Sequence, residues 1–130
     1  MAVQLDHTIV PSRDKQASAG FLARLLGVGP PSTFGHFVTL EVANGVSLDY
    51  DDATDVRPHH YAFLVGDEDF DQIFERVTGE GITYFADPGH RRAGEINTRD
   101  NGRGFYFSDP DGHNMEVLTR RYGSGAGRAT

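Results

Sequence analysis

A predicted hairpin over residues 102–119, GRGFYFSDPDGHNMEVLT, constrains this sequence more than any other stretch. Its apolar arms, residues 105–108 and 114–119, flank the run DPDG at 109–112, where Pro and Gly favour a tight turn between antiparallel strands. Glu116 lies in the middle of the second arm, among apolar residues. A buried, unpaired charge is costly, so Glu116 requires a positive partner, which is either an arginine or a metal ion.

The first half of the chain is predicted to run strand, helix, strand, strand. A strand over residues 3–10 ends at Pro11, and Ser12 can cap a helix that reaches Leu26 and stops at Gly27. Asn44-Gly45 is a strong hairpin turn. It joins two further predicted strands, residues 34–42 and 46–51.

The second half repeats this order. A strand over residues 59–65 leads into a helix in which Phe70, Ile73, Phe74 and Val77 keep helical spacing, and glycines end that helix. A short strand at 82–85 and a long polar loop at 86–101 come before the hairpin. Because each half opens with a histidine-bearing strand followed by a helix, the sequence predicts a two-module α+β domain.

The charge and the residue composition exclude some classes of function. The chain has a net charge of −7, which argues against a nucleic-acid surface and suits binding of a small molecule. It has no cysteine, so any metal must be held by His, Asp or Glu. We expect no membrane span and no signal peptide, and therefore a cytoplasmic protein.

Three residues occupy matched places in the repeat. His7 lies on the opening strand of the first half, His60 on the opening strand of the second, and Glu116 on the closing strand. Two imidazoles and one carboxylate form the ligand set of an open divalent-metal site, which leaves positions for water or substrate. The alternative is that all three are satisfied polar residues of the core.

The stretches LDHTIV, HHYAFLV and FYFSDPDGHNMEVLT resemble the ligand strands of the vicinal oxygen chelate superfamily, which includes glyoxalase I, extradiol dioxygenases, fosfomycin-resistance enzymes and bleomycin-resistance proteins. The resemblance implies a single domain over residues 1–122, in which two βαβββ modules, at about 3–52 and 59–120, form a curled mixed sheet around a metal-binding cavity. It implies His7, His60 and Glu116 as metal ligands, with His59 on the opposite strand face. Many small members are homodimers whose cavities combine modules of two chains, so we expect a homodimer. Residues 123–130 are predicted to be a disordered tail.

The resemblance also implies one divalent ion, Fe2+ or alternatively Ni2+, Zn2+ or Mn2+. Glyoxalase I adds a fourth ligand at a position where this chain has Ser47, with Asp49 nearby on the same face. Three ligands are more similar to the extradiol dioxygenases and fosfomycin enzymes, yet neither pattern is complete. The catalytic histidine of the former and the phosphonate-binding residues of the latter are absent.

Several other residues are candidates for the site. Tyr106 is either a cavity-facing hydrogen-bond donor or acid, or an ordinary half-buried strand tyrosine. The catalytic base is Glu116, if it leaves the ion during turnover, or else Glu41 or Asp49. Arg91, Arg92, Arg99 and Arg103 either clamp a substrate carboxylate or lie in a solvated loop. We expect His113 to be exposed, and His36 and His90 to be surface or rim residues.

We therefore predict a metal-dependent enzyme acting on a small oxygenated substrate that chelates the ion through neighbouring oxygens, with a dioxygenase-like three-ligand site. Glyoxalase-type lyase or isomerase chemistry is the first alternative. A non-catalytic small-molecule binder, similar to bleomycin-resistance proteins, is the second. Binders of that kind usually lack the metal ligands, whereas this chain retains the full set.

Overall fold

The computed structural model describes residues 2–125 and comprises two compact units, Met1–Arg57 and Pro58–Thr130. The two units contain two helices and two mixed sheets, neither of which is closed. This is the predicted α+β class.

The first unit follows the order βαβββ. Its sheet has the strand order β1-β4-β3-β2, in which β1 pairs parallel to β4 and the other pairs are antiparallel. The elements are β1 (His7–Ser12), α1 (Lys15–Leu26), β2 (Ser32–Phe34), β3 (Phe37–Glu41) and β4 (Ser47–Asp52).

Several boundaries in this unit differ from the predicted ones, and β1 begins at His7 instead of residue 3. The strand β1 continues through Pro11, which an edge strand tolerates because its missing N–H removes no ladder bond on the open side. The cap of α1 is Asp14, whose carboxylate accepts from Ala17 N–H, and the predicted stop at Gly27 is confirmed by its left-handed φ of 71°. The strand expected at 34–42 is broken at Gly35, whose φ of 59° turns β2 back onto β3.

The second unit has one strand fewer. Its elements are β5 (His60–Leu64), α2 (Asp67–Gly79), β6 (Gly104–Ser108) and β7 (Asn114–Leu118), in the sheet order β5-β7-β6. The strand predicted at 82–85 is wrong, because only Phe85 pairs there, through isolated bridges to Ala93 and Tyr106. A short 3-10 turn, Arg99–Asn101, interrupts the long loop.

Each unit buries the helix-facing side of its sheet. In the first unit Leu22 and Leu25 of α1 are fully buried, as is Tyr50 of β4. In the second unit Phe70 of α2 packs edge-on against Phe105 of β6, with ring centroids 5.4 Å apart. Because side chains alternate along a strand, the opposite face carries other residues: polar ones such as His7 and His60, and exposed apolar ones such as Ile9 and Leu64.

The end of the described chain is hydrogen-bonded to the long loop. Part of the predicted disordered tail, residues 126–130, lies outside the described residues, whereas the backbone N–H groups of Gly123 and Gly125 donate to the Asp100 carboxylate. Neither α1 nor α2 is long and apolar enough to cross a bilayer, and residues 2–125 contain no other α-helix.

Candidate metal centre

The β6–β7 hairpin forms as predicted and sets Tyr106 directly opposite Glu116. At its turn the Asp109 carboxylate accepts from the backbone N–H groups of Asp111 and His113, at 2.9 and 2.8 Å. Gly112 takes a φ of 85°, which a residue with a side chain would adopt only with strain. The turn therefore fixes the register that puts a tyrosine and a carboxylate on one face.

The parallel pairing of β5 with β7 brings His60 onto the same face. His60 Nε2 lies 2.9 Å from Glu116 Oε1. The Glu116 side chain is only 1% exposed and that of His60 is 45% exposed, so the imidazole lies between the buried carboxylate and the solvent. Two of the three predicted ligands are thus adjacent.

The second oxygen of Glu116 belongs to a network of hydroxyl groups. The Tyr122 hydroxyl donates to Glu116 Oε2 at 2.5 Å, and it lies 3.0 Å from the Tyr106 hydroxyl. Since the single Tyr122 proton goes to Glu116, Tyr106 must be the donor to Tyr122. Burial and then the bond to Glu116 raise the pKa of Tyr122 well above its usual range, so this phenol keeps its proton at neutral pH.

Arg99 lies at the other end of this network. Its Nη1 donates to the Tyr106 hydroxyl at 2.7 Å and to the Tyr122 hydroxyl at 3.4 Å. The hydrogen bond to Tyr106 holds the pKa of Arg99 above its ordinary value, so the guanidinium is always charged. A continuous chain of hydrogen bonds therefore runs from a cation, through two phenols, to a buried carboxylate.

Tyr122 has no counterpart among the residues chosen from the sequence. It follows the last strand, in a polar glycine-rich segment without periodicity. The structure holds this segment in place because Asp100 accepts N–H donors from Gly123 and Gly125, and Asp100 itself has a left-handed φ of 55°. The only sequence feature that pointed to Tyr122 was its aromatic side chain just before the glycines.

These side chains surround an open cavity of about 610 Å³ in the second unit. Tyr106 therefore faces the cavity, in agreement with its interpretation as a cavity-facing residue. Its hydroxyl is already hydrogen-bonded. The cavity is lined by His60, Pro88, Arg99, Asp100, Tyr106 and Tyr122.

The third predicted ligand, His7, lies on β1 of the first unit. Its side chain is 56% exposed, and its Nδ1 lies 2.6 Å from Asp6, which raises the pKa of His7 above its ordinary value. Ser47 is the residue paired with His7 across the sheet, and the Ser47 hydroxyl donates to Asp49 at 2.6 Å. The two residues considered for a fourth ligand are therefore bonded to each other.

Neither unit, within residues 2–125, gathers three His, Asp or Glu side chains around one point. The pair in the second unit nevertheless suits a divalent ion. Nitrogen and oxygen ligands lie about 2.0–2.2 Å from such an ion, so two neighbouring ligands at roughly a right angle are about 3 Å apart. The 2.9 Å between His60 Nε2 and Glu116 Oε1 matches this separation, and the buried carboxylate supplies the negative charge that a cation needs.

The remaining histidines differ in their surroundings. The prediction of an exposed His113 is wrong, because the residue is fully buried and its Nδ1 accepts the backbone N–H of His59 at 2.9 Å. His59 contacts the His113 and Tyr61 rings, whereas His60 lies beside the Tyr106 ring. His36 is exposed, 3.5 Å from Asp51.

The rim of the cavity is formed in part by the long loop. His90 stacks on Phe85, with centroids 4.2 Å apart, and its Nε2 lies 2.8 Å from the Asn114 side-chain oxygen. Asp87 accepts the backbone N–H groups of Arg91 and Arg92. These contacts fix the loop that carries Pro88.

Of the four arginines proposed as a clamp, only Arg99 lines the cavity. Arg103 is held by Asp67 and Asp71 of α2, and Arg92 pairs with Glu95 at 3.1 Å. Arg91 is exposed.

A family model described as the Glyoxalase/Bleomycin resistance protein/Dioxygenase superfamily matches residues 4–117. The "Glutathione transferase FosA" of Serratia marcescens is 31% identical over 124 residues, which cover 90% of this chain and 81% of that protein.

Two solved structures are more similar. "Oxidase ChaP-H1" is 58% identical with a TM-score of 0.92, and the match covers 94% of this chain and 99% of that one. "Oxidase ChaP-H2" is also 58% identical, with a TM-score of 0.94 and coverage of 97% and 100%. The relatives are thus described as enzymes, a transferase in one case and oxidases in two.

Proposed function

Because this chain belongs to the glyoxalase/bleomycin resistance protein/dioxygenase superfamily, we propose that it is a metal-dependent oxidase or dioxygenase acting on a small oxygenated organic molecule. The 58% identity to two proteins named as oxidases supports oxidative chemistry over the transferase chemistry of the relative at 31%. In this proposal His60 and Glu116 hold a divalent ion together with His7, and Fe2+ is the expected metal.

The observation that carries the proposal is the pairing of a fully buried carboxylate with an imidazole at ligand-to-ligand distance. Glu116 is 1% exposed, and its two oxygens face His60 on one side and the Tyr122 hydroxyl on the other. Burial of a carboxylate is expensive without a cation or several donors. A metal ion held by Glu116 and His60 would offset that cost.

The proposed metal ligands and the residues beside them have different roles. Once bound, an iron ion would polarise neighbouring substrate oxygens and react with dioxygen. Tyr122 donates to Oε2 of Glu116 and so holds the carboxylate of this proposed ligand in position. Tyr106 donates to Tyr122, so a proton taken up at Glu116 could be exchanged along the two hydroxyls. Glu116 and Tyr106 are therefore the proposed catalytic residues.

Metal analysis tests the assignment. We expect about one iron per chain in protein purified without chelators under low oxygen, and loss of that iron in His60→Ala and Glu116→Ala. His36→Ala is the matched control, because His36 is an exposed histidine that lies beside Asp51 and is not one of the proposed ligands. Iron together with dioxygen uptake on diol substrates would support an oxidase. Nickel, zinc or manganese without dioxygen uptake would favour lyase, isomerase or transferase chemistry, and no metal would favour a binding protein.

The proposed homodimer makes a separate expectation for His7. If the first unit of one copy completes the site of the other, mixed dimers of His7→Ala and Glu116→Ala chains contain one intact ligand set per dimer. Such dimers, purified through two different affinity tags, should hold half of the wild-type metal per chain. The parent homodimers are measured beside them: wild-type metal content in His7→Ala homodimers would remove His7 from the set. If both parents lose the metal, mixed dimers that hold no more than these parents would place all three ligands in one chain.

A further inference from the structure

The guanidinium of Arg99 has donors that the protein does not use. Its two Nη1 hydrogens go to Tyr106 and Tyr122, at 2.7 and 3.4 Å. An arginine has five N–H donors in a planar fork. Within residues 2–125, the three donors on Nε and Nη2 meet no acceptor of the protein.

Arg99 differs from two other arginines of the second unit, which form ion pairs. Arg103 makes two ion pairs, with Asp67 and Asp71, and Arg92 makes one with Glu95. Arg99 makes no ion pair within the described part of the chain, although it lines the cavity. Its charge is therefore available to a bound molecule.

Arg99 is also fixed in position. The guanidinium carbon lies 5.6 Å from the Tyr106 ring centroid and 5.8 Å from that of Tyr122, so two rings support it from the sides. A cation that is held by its neighbours loses little entropy when it binds a ligand, which strengthens binding. The arrangement is that of a preformed anion subsite.

The two carboxylates near this subsite do not form hydrogen bonds with the guanidinium of Arg99. Asp100 also lines the cavity, but it accepts two backbone N–H groups of the segment after β7. Glu116 is 1% exposed, and Tyr122 covers the oxygen on the Arg99 side of the network. Neither carboxylate bonds to the free edge of the guanidinium.

We infer that Arg99 binds an anionic oxygen of the substrate, a carboxylate or a phenolate carried on an apolar body. The planar fork suits a carboxylate through two parallel hydrogen bonds. Pro88 and the two tyrosine rings offer the apolar surface for the rest of the molecule. This inference rests on the proposed function only in taking the same cavity as the substrate site, and it narrows the substrate to an organic acid or an acidic phenol.

The test uses benzoate and its neutral isostere benzamide as probes of chelator-treated protein, so that no metal can bind the carboxylate. Dissociation constants from NMR titration should show that the wild-type protein prefers benzoate by about tenfold, the lower end of what charged hydrogen bonds supply. In Arg99→Gln this preference should vanish while benzamide binding changes little. Arg99→Lys should keep part of it, because the charge remains and the fork is lost.

The control is Arg92→Gln, the same change in the same loop at an arginine outside the cavity, and it should bind both probes as the wild type does. Benzoate preference that survives in Arg99→Gln would overturn the inference. So would a wild-type protein that binds benzoate no better than benzamide, or that binds neither probe. Because the metal is absent, these results are independent of the metal analysis, and either proposal can fail alone.

Discussion

Replacing Tyr122 by phenylalanine should destabilise the protein more than the same change at Tyr106, although burial suggests the reverse. Tyr106 is 1% exposed, whereas Tyr122 is 56% exposed. The decisive difference is the acceptor, because the Tyr122 hydroxyl donates to the buried Glu116 carboxylate and the Tyr106 hydroxyl donates only to another phenol.

The magnitudes follow from the bonds that are lost. A hydrogen bond to a charged group contributes about 1.5–3 kcal/mol. Since Tyr122 lies near solvent, water can replace part of it, and we expect Tyr122→Phe to lower the free energy of unfolding by about 1–2 kcal/mol. In Tyr106→Phe the groups left behind are Arg99 and Tyr122, both of which reach solvent, so a loss of about 0.5–1 kcal/mol is expected.

Urea unfolding of chelator-treated protein, followed by circular dichroism, measures both values. A double-mutant cycle with Glu116→Gln should give a coupling of about 1 kcal/mol between residues 116 and 122, because removal of the charge weakens the same bond. Additive effects, or a Tyr122→Phe variant within about 0.5 kcal/mol of the wild type, would refute the reasoning.

Two further predictions concern the backbone of each unit. Gly45→Ala should cost about 1 kcal/mol, because Gly45 has a φ of 82° while nothing crowds its Cβ position, and Gly29→Ala, equally uncrowded and without a positive φ, should be nearly neutral in the same urea assay. Equal effects would contradict the conformational argument. For Asp87, burial opposes ionisation, but backbone N–H donors led by Arg92 outweigh it and hold the pKa of that carboxyl below its ordinary 3.8. The wild type should therefore be more stable than Asp87→Asn at pH 7, and the difference should disappear as the pH falls below that folded pKa; a difference independent of pH would contradict this.

The parts of the site that lie on regular strands could be predicted from sequence. The structure pairs Glu116 with Tyr106, which was not predicted, but the DPDG turn and the apolar arms predicted the hairpin that carries both residues. The family resemblance placed His60 and His59 on opposite strand faces, and their rings have different neighbours. These inferences succeeded because a strand repeats every two residues, so one anchored position fixes the facing of all the others.

Predictions for residues beside the strands were less successful. His113 follows the turn glycine and was expected to be exposed, yet it is fully buried and accepts a hydrogen bond from the chain before β5. The strand at 82–85 was expected from its apolar residues, but only Phe85 finds a partner. Burial and strand pairing of this kind depend on contacts with segments that are distant in the sequence. Local residue patterns do not determine these contacts.

The sequence by itself determined the α+β class, the hairpins at Asn44-Gly45 and at residues 109–112, and the place of Glu116 in the middle of a strand, because turn chemistry and side-chain alternation act over a few residues. Only the tertiary structure decided that Arg99 and Tyr122, from segments without periodicity, meet beside Glu116. Their positions follow from the hydrogen bonds that close the loop and the segment after β7 around Asp100. Such long-range closure is set by the packed chain as a whole, which is why these two residues were not identified as a pair in advance.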